Sequence, residues 1–120
     1  KQIKFAFLFF MVNILTYYNL IIYNIMKKII RKADEISDIM KNFSNRDKLA
    51  ILCFLGKEIK NVTEIMECSD ISQSQISQYL GKMKLEGILE SYKEWKEVYY
   101  RIEDKKVLEV IKSLKKIFVK

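Results

Sequence analysis

Histidine and proline are both absent from this chain of 120 residues, glycine occurs three times and cysteine twice. Without histidine, the chain lacks the commonest general base and the commonest metal ligand. Cys53 and Cys68 cannot alone complete a structural zinc site, which takes four Cys or His ligands. Two cysteines fit a reducing compartment better than a disulfide-stapled secreted domain. No Gly-rich phosphate loop occurs, and no Ser or Cys stands beside a plausible base. Neither an enzyme nor a metal site nor a cofactor is therefore expected. The missing proline and the sparse glycines (Gly56, Gly81 and Gly87) suit a mostly helical protein with short connections.

Half of the residues are hydrophobic, and the length suffices for one domain with a real core. The formal charge of +7, from 22 basic and 15 acidic residues, permits a nucleic acid or an anionic membrane surface as partner. It does not choose between them.

From Phe5 to Met26 no residue is charged, and 18 of these 22 are apolar, the exceptions being Asn13, Thr16, Asn19 and Asn24. The length suits a transmembrane helix. Lys1 and Lys4 precede it, and Lys27, Lys28, Arg31 and Lys32 follow it, which would keep its C-terminal side in the cytoplasm. Residues 1–25 are also what A/T-rich DNA yields when translated ahead of a start at Met26, since they are nearly all Lys, Ile, Phe, Asn, Tyr and Leu. Three readings stay open: such an extension, a membrane segment, or a packing helix. The expected division is a hydrophobic extension over 1–25 and a folded domain over 26–120.

Helical patterning runs from Met26 to about Asn42, with a stripe of Ile29, Ala33, Ile36, Met40 and Phe43. Ser44 to Asp47 reads as a capping-box start for a second helix holding Leu49, Ile51, Leu52, Phe54 and Leu55, ending near Gly56. Asn61 and Glu64 open a third, with Val62, Ile65 and Met66 inward, which stops at Ser69-Asp70.

A fourth helix follows after a few residues, which reads as helix-turn-helix. Ser72 and Gln75 form its S-x-x-Q capping box, and Ile76, Leu80 and Met83 recur at helical spacing. Ser74, Ser77, Gln78 and Gly81 fall on the opposite face, flanked by Gln75 and Lys82. A solvated helix usually carries Glu and Lys there. Amides and hydroxyls suit a helix in a DNA major groove, because they donate to and accept from base edges.

Gly87 ends that helix. Ile88–Lys93 and Glu97–Ile102 read as strands joined at Glu94-Trp95-Lys96, a hairpin placed as a wing. Asp104 caps a last helix, in which Val107, Val110, Ile111, Leu114, Ile117 and Phe118 form a seam. Pairing residues 26–42 and 105–118 across a two-fold axis would bury both stripes. The fold class is thus mostly α: a winged helix-turn-helix of about five helices plus a β-hairpin wing, with a hydrophobic N-terminal extension.

The blocks Asn45-Arg46-Asp47-Lys48-Leu49-Ala50-Ile51-Leu52-Cys53, Val62–Ile65, Ile71–Leu80, Leu85–Leu89 and Val98–Ile102 resemble ArsR/SmtB-type winged-helix repressors. The resemblance covers about residues 26–118. It implies a cytoplasmic homodimer, paired by its first and last helices, that binds an inverted-repeat operator in double-stranded DNA. Carried over by position, the base-reading residues are Gln73, Ser74, Gln75, Ser77 and Gln78, with Tyr79 where the family often has His. Lys82 and the wing residues Lys93 and Lys96 would meet phosphates or the minor groove.

The family's arsenic and cadmium sensors carry a Cys-x-Cys pair before the turn, where this chain has Cys68 alone. Its zinc and nickel sensors use Asp and His on the last helix, and no His exists here. A third branch senses sulfide or polysulfide through two Cys, the first at the position of Cys53. The second would lie near Ile117-Phe118-Val119-Lys120, where none stands. Cys53 and Cys68 are accordingly either packing residues or thiols that react alone. Two other classes remain open: a winged-helix module that docks a protein, and a regulator tethered to the inner membrane through residues 5–26.

Overall fold

The computed structural model describes residues 2–119; Lys1, expected as a flanking charge, and Lys120 lie outside the described residues. Five helices and three strands follow in order: α1 (Gln2–Ser44), α2 (Arg46–Leu55), β1 (Lys60–Asn61), α3 (Val62–Glu67), α4 (Gln73–Leu85), β2 (Leu89–Glu94), β3 (Glu97–Ile102) and α5 (Lys105–Phe118). This is the expected winged helix-turn-helix, with one strand more than the sequence suggested.

The chain divides into two units, Lys1–Met40 and Lys41–Lys120. The first is one helix, on which every described side chain is exposed except the half-buried Glu35 and Ile39. The helix expected from Met26 is the later part of α1, which runs through that residue without a break. No Gly or Pro interrupts it. Its stripe residues Ile29, Ile36 and Met40 are 53%, 49% and 37% exposed.

The second unit is built on well-formed helix ends. The start of α2 falls one residue later than expected. The Asn45 side chain accepts from the Lys48 amide at 3.0 Å, while the Ser44 hydroxyl donates to the Lys41 carbonyl and closes α1 instead. The expected box at α3 is complete: Asn61 Oδ1 accepts from the Glu64 amide at 2.8 Å, and Glu64 Oε1 accepts from the Asn61 amide at 3.3 Å. In α3 only Ile65 is buried; Met66, expected inward, is 37% exposed, because its place one residue on turns it away from the core side that Ile65 occupies.

At α4, Ser72 accepts from the Gln75 amide at 3.3 Å, but the expected box closes differently. The Gln75 side-chain oxygen accepts from the Ser72 hydroxyl rather than from a backbone amide. The far end of α4 is a Schellman turn: Ile88 N–H reaches the Met83 carbonyl and Gly87 N–H the Lys84 carbonyl, both at 3.0 Å. Gly87 sits at φ +80°, which a side chain would resist. Ile88 and Met83, the residues that this turn brings together, are both buried. Ile88 therefore belongs to the cap, and the strand expected from it begins at Leu89.

The sheet order is β1-β3-β2, all antiparallel. In the wing, Leu89 faces Ile102 and Glu94 faces Glu97, so the turn is the two residues Trp95 and Lys96. The extra strand β1 pairs Lys60 and Asn61 with Tyr100 and Tyr99. Two residues are too few to show an alternation in sequence. In α5, capped by Asp104, Val107 and Ile111 are buried. Ile117 and Phe118 of the expected seam are 62% and 76% exposed. The core joins Ile51, Leu52 and Leu55 of α2 to Ile65, to Ile76, Leu80 and Met83 of α4, and to Leu89, Ile102, Val107 and Ile111.

Ile76 is fully buried while Leu85, on the same helix, is 90% exposed. Ile76→Ala is expected to lower unfolding free energy by about 2–5 kcal/mol in urea melts, and Leu85→Ala by under about 0.5 kcal/mol.

Candidate nucleic-acid interface

Five residues, Cys68–Ser72, separate α3 from α4, and within them Ile71 is buried and pins the turn. With Ile76, Leu80 and Met83 inward, Gln73, Ser74, Gln75, Ser77, Gln78 and Lys82 are all exposed. The structure therefore brings the expected α4 residues onto one polar, open surface. Gln75 is the most engaged of them, since its side-chain oxygen is held at the cap by Ser72.

Tyr79 is half-buried, and the Lys48 ammonium lies 5.8 Å from its ring centroid, a cation–π distance. Lys48 was not foreseen as part of the site, and it is only 9% exposed. Burial, then repulsion by Lys82, hold its amine below the usual lysine range, and Glu86 pulls the other way. Glu86 also accepts from the Asn42 amide at 3.0 Å, and Asn42 is 2% exposed. A polar chain thus links the last turn of α1 to the underside of α4. The signal for Lys48 was present: it occupies the first position of the α2 stripe that Ile51, Leu52 and Leu55 continue.

In the wing, Glu90 accepts from both the Tyr92 hydroxyl and Arg101 Nε, and the Arg101 guanidinium lies 5.2 Å from the Tyr92 ring centroid. Tyr92, then Arg101, hold the Glu90 carboxyl below the usual carboxylate range. Arg101 is thereby paired. Lys93 and Lys96 are exposed near the hairpin tip.

Both cysteines are free thiols. Cys53 is half-buried on α2, and burial pushes its thiol up, with Lys115 pulling partly back. That disfavours the reactive thiolate. Cys68 is exposed at the end of α3. Ellman's reagent is expected to titrate Cys68 at once and Cys53 several-fold more slowly in the folded protein, compared through Cys68→Ser and Cys53→Ser. Equal rates would contradict the burial of Cys53.

Residues 45–91 match the model of the family described as "Bacterial regulatory protein, arsR family". A biofilm growth-associated repressor of Agrobacterium fabrum is 30% identical over 88 residues, which cover 73% of this chain and 75% of that protein. The transcriptional repressor BigR from Xylella fastidiosa superposes with a TM-score of 0.72 at 26% identity, over 78% of this chain and 96% of BigR. The transcriptional regulator HlyU from Vibrio vulnificus gives 0.73 at 28% identity, over 78% and 97%. The matched region contains the helix-turn-helix and the buried stripe of α4 that turns its Ser and Gln side chains outward. This chain belongs to the arsR family of bacterial regulatory proteins and is a DNA-binding transcriptional regulator.

Proposed function

We propose that the protein is a homodimeric repressor that reads an inverted-repeat operator and leaves it when an effector binds or a thiol is modified. The observation that carries this reading is the outer face of α4, open and polar at Gln73, Ser74, Ser77 and Gln78. These side chains would pair with base edges in the major groove, with Gln75 and Tyr79 at the margin. Lys82 would meet a phosphate, and Lys93 and Lys96 the backbone beside the wing. Residues 26–120 would form the DNA-binding and dimerisation domain. The exposed stripes of α1 (Ile29, Ile36, Met40) and α5 (Ile117, Phe118) favour pairing through 26–42 and 105–118. Two of the similar proteins are repressors by name, which supports repression. The exposure of Cys68 makes it the better candidate for thiol modification.

The test is fluorescence anisotropy on labelled duplexes tiling the DNA upstream of its own gene, with reduced and polysulfide-treated protein. Sedimentation equilibrium gives the oligomeric state. Gln78→Ala is expected to weaken the preferred duplex about tenfold, and a non-specific duplex hardly at all. A dimer that binds no DNA would instead favour a protein-docking module. Binding indifferent to polysulfide would leave release to another effector.

A second reading rests on α1. Its apolar stretch has every side chain exposed, and the helix is long and apolar enough to cross a membrane. Residues 5–26 span about 33 Å as a helix, against a hydrocarbon core of about 30 Å. A helix apolar on all sides suits lipid better than a one-sided protein contact. Under this reading the regulator is held at the inner membrane, with Lys27–Lys32 and the DNA-binding unit on the cytoplasmic side. Expressed from its own gene, the protein should then resist carbonate extraction from membranes. A native N-terminus at Met26, found by mass spectrometry, would end this reading and leave a cytoplasmic regulator.

A further inference from the structure

The wing tip carries a feature that the helix-turn-helix does not explain. Trp95 is 93% exposed, although tryptophan is a residue that folded chains usually cover. It is also the sole non-glycine residue at positive φ among those described, at +58°. A bulky side chain resists that conformation, and two-residue hairpins favour Asn or Gly there. Across the same turn Glu94 faces Glu97, a like-charge pair that weakens the hairpin further. One tight turn thus combines three local costs: an uncovered indole, a left-handed backbone and a carboxylate pair. A turn shaped for stability alone would hold none of them, and strain of this kind concentrates where a surface does work.

Net charge does not account for these costs. Lys93 and Lys96 are balanced at the tip by Glu94 and Glu97, and Arg101 farther down is taken by Glu90. Lys93 and Lys96 can meet the backbone as proposed above, but neither explains why the indole between them is uncovered. It is a flat apolar ring with one N–H donor and no charge. The wing continues directly from the recognition helix through Gly87 and Ile88, and the Tyr92–Glu90–Arg101 contacts brace its stem.

We infer that Trp95 is a DNA-contacting residue, which enters the minor groove beside the half-site that α4 occupies. There it packs its ring against sugar or a partly unstacked base step and directs its N–H at a groove acceptor. This inference rests on the DNA-binding reading above and adds a contact to it. Aromatic wedges of this type open base steps and bend the duplex, so the wing reads deformability where α4 reads base edges.

Trp95 is the only tryptophan of the chain, so its emission reports on the wing tip alone. The experiment uses the full chain and the same labelled duplexes. Anisotropy of the label reads binding; tryptophan emission and its quenching by acrylamide read the wing. On the preferred duplex, emission is expected to drop and acrylamide access to fall. Trp95→Ala and Trp95→Gly are expected to bind about tenfold more weakly, with Trp95→Phe in between. Trp95→Gly relieves the backbone, so its melting temperature is expected to equal or exceed that of the wild type. The slope of affinity against salt should be unchanged in these variants, because no charge is removed. Binding with unaltered emission and acrylamide access, or wild-type affinity in Trp95→Gly, would overturn the wing contact while leaving DNA binding in place. Absence of any anisotropy change in the wild type would overturn both.

Discussion

Burial of Ile76, Leu80 and Met83 is the constraint on which the candidate DNA-reading surface depends. All three are fully buried, and each contributes about 1.5–3 kcal/mol by leaving water. Together that is of the order of a small domain's whole stability. Rotating α4 by one residue's turn would expose them, so the helix has one orientation about its axis. The outward Ser and Gln face is then a consequence of packing, not a separate design. The cap at Ser72 and the Schellman turn at Gly87 fix the two ends of the same helix. The second of these also sets where the wing leaves it.

Electrostatics around this surface is nearly balanced. Residues 72–102 hold five basic and four acidic side chains. Two of the local cations, Lys48 and Arg101, are already occupied, one beneath Tyr79 and near Glu86, the other on Glu90. Proteins that hold DNA mainly by charge place unpaired Lys and Arg along the phosphate track. This one has few to spare on the recognition unit. Its discrimination would then come from hydrogen bonds and shape, and any broad attraction from the basic run at Lys27–Lys32.

Much of the fold was legible in the sequence because its signals are local. The box at Asn61, the cap at Asp104, the stripes of α2 and α4, and the β-branched and aromatic run of β3 each lie within one segment. The errors have equally local reasons. Ser44 and Asn45 are both good caps, and only the fold decides which hydroxyl or amide each helix uses. Strand β1 exists through its pairing with Tyr99 and Tyr100, and two residues show no pattern of their own. The outward face of α4 was readable from periodicity. The Asn42–Glu86 and Lys48–Tyr79 contacts were not, since they join residues 44 and 31 positions apart. Trp95 was visible only as part of a turn, because neither its exposure nor its positive φ follows from the residue name.

The exposed apolar surface of α1 is of two kinds, and they call for different remedies. Over residues 29–43 the exposed Ile29, Ile36 and Met40 and the half-buried Phe43 are interspersed with Arg31, Lys32, Asp34, Glu35 and Asp38. A one-sided stripe beside charges is the kind that a protein partner covers, and Ile117 and Phe118 of α5 are exposed as well, so the proposed dimer would pair the two helices. Over residues 5–26 there is no polar side to leave in water. Covering one face by dimerisation would still leave the others uncovered, so a single helix–helix seam cannot meet that need. Under the membrane reading proposed above, lipid would surround such a helix on every side. The two proposals are therefore separable: whatever becomes of residues 5–26, pairing along 29–43 can be tested by itself.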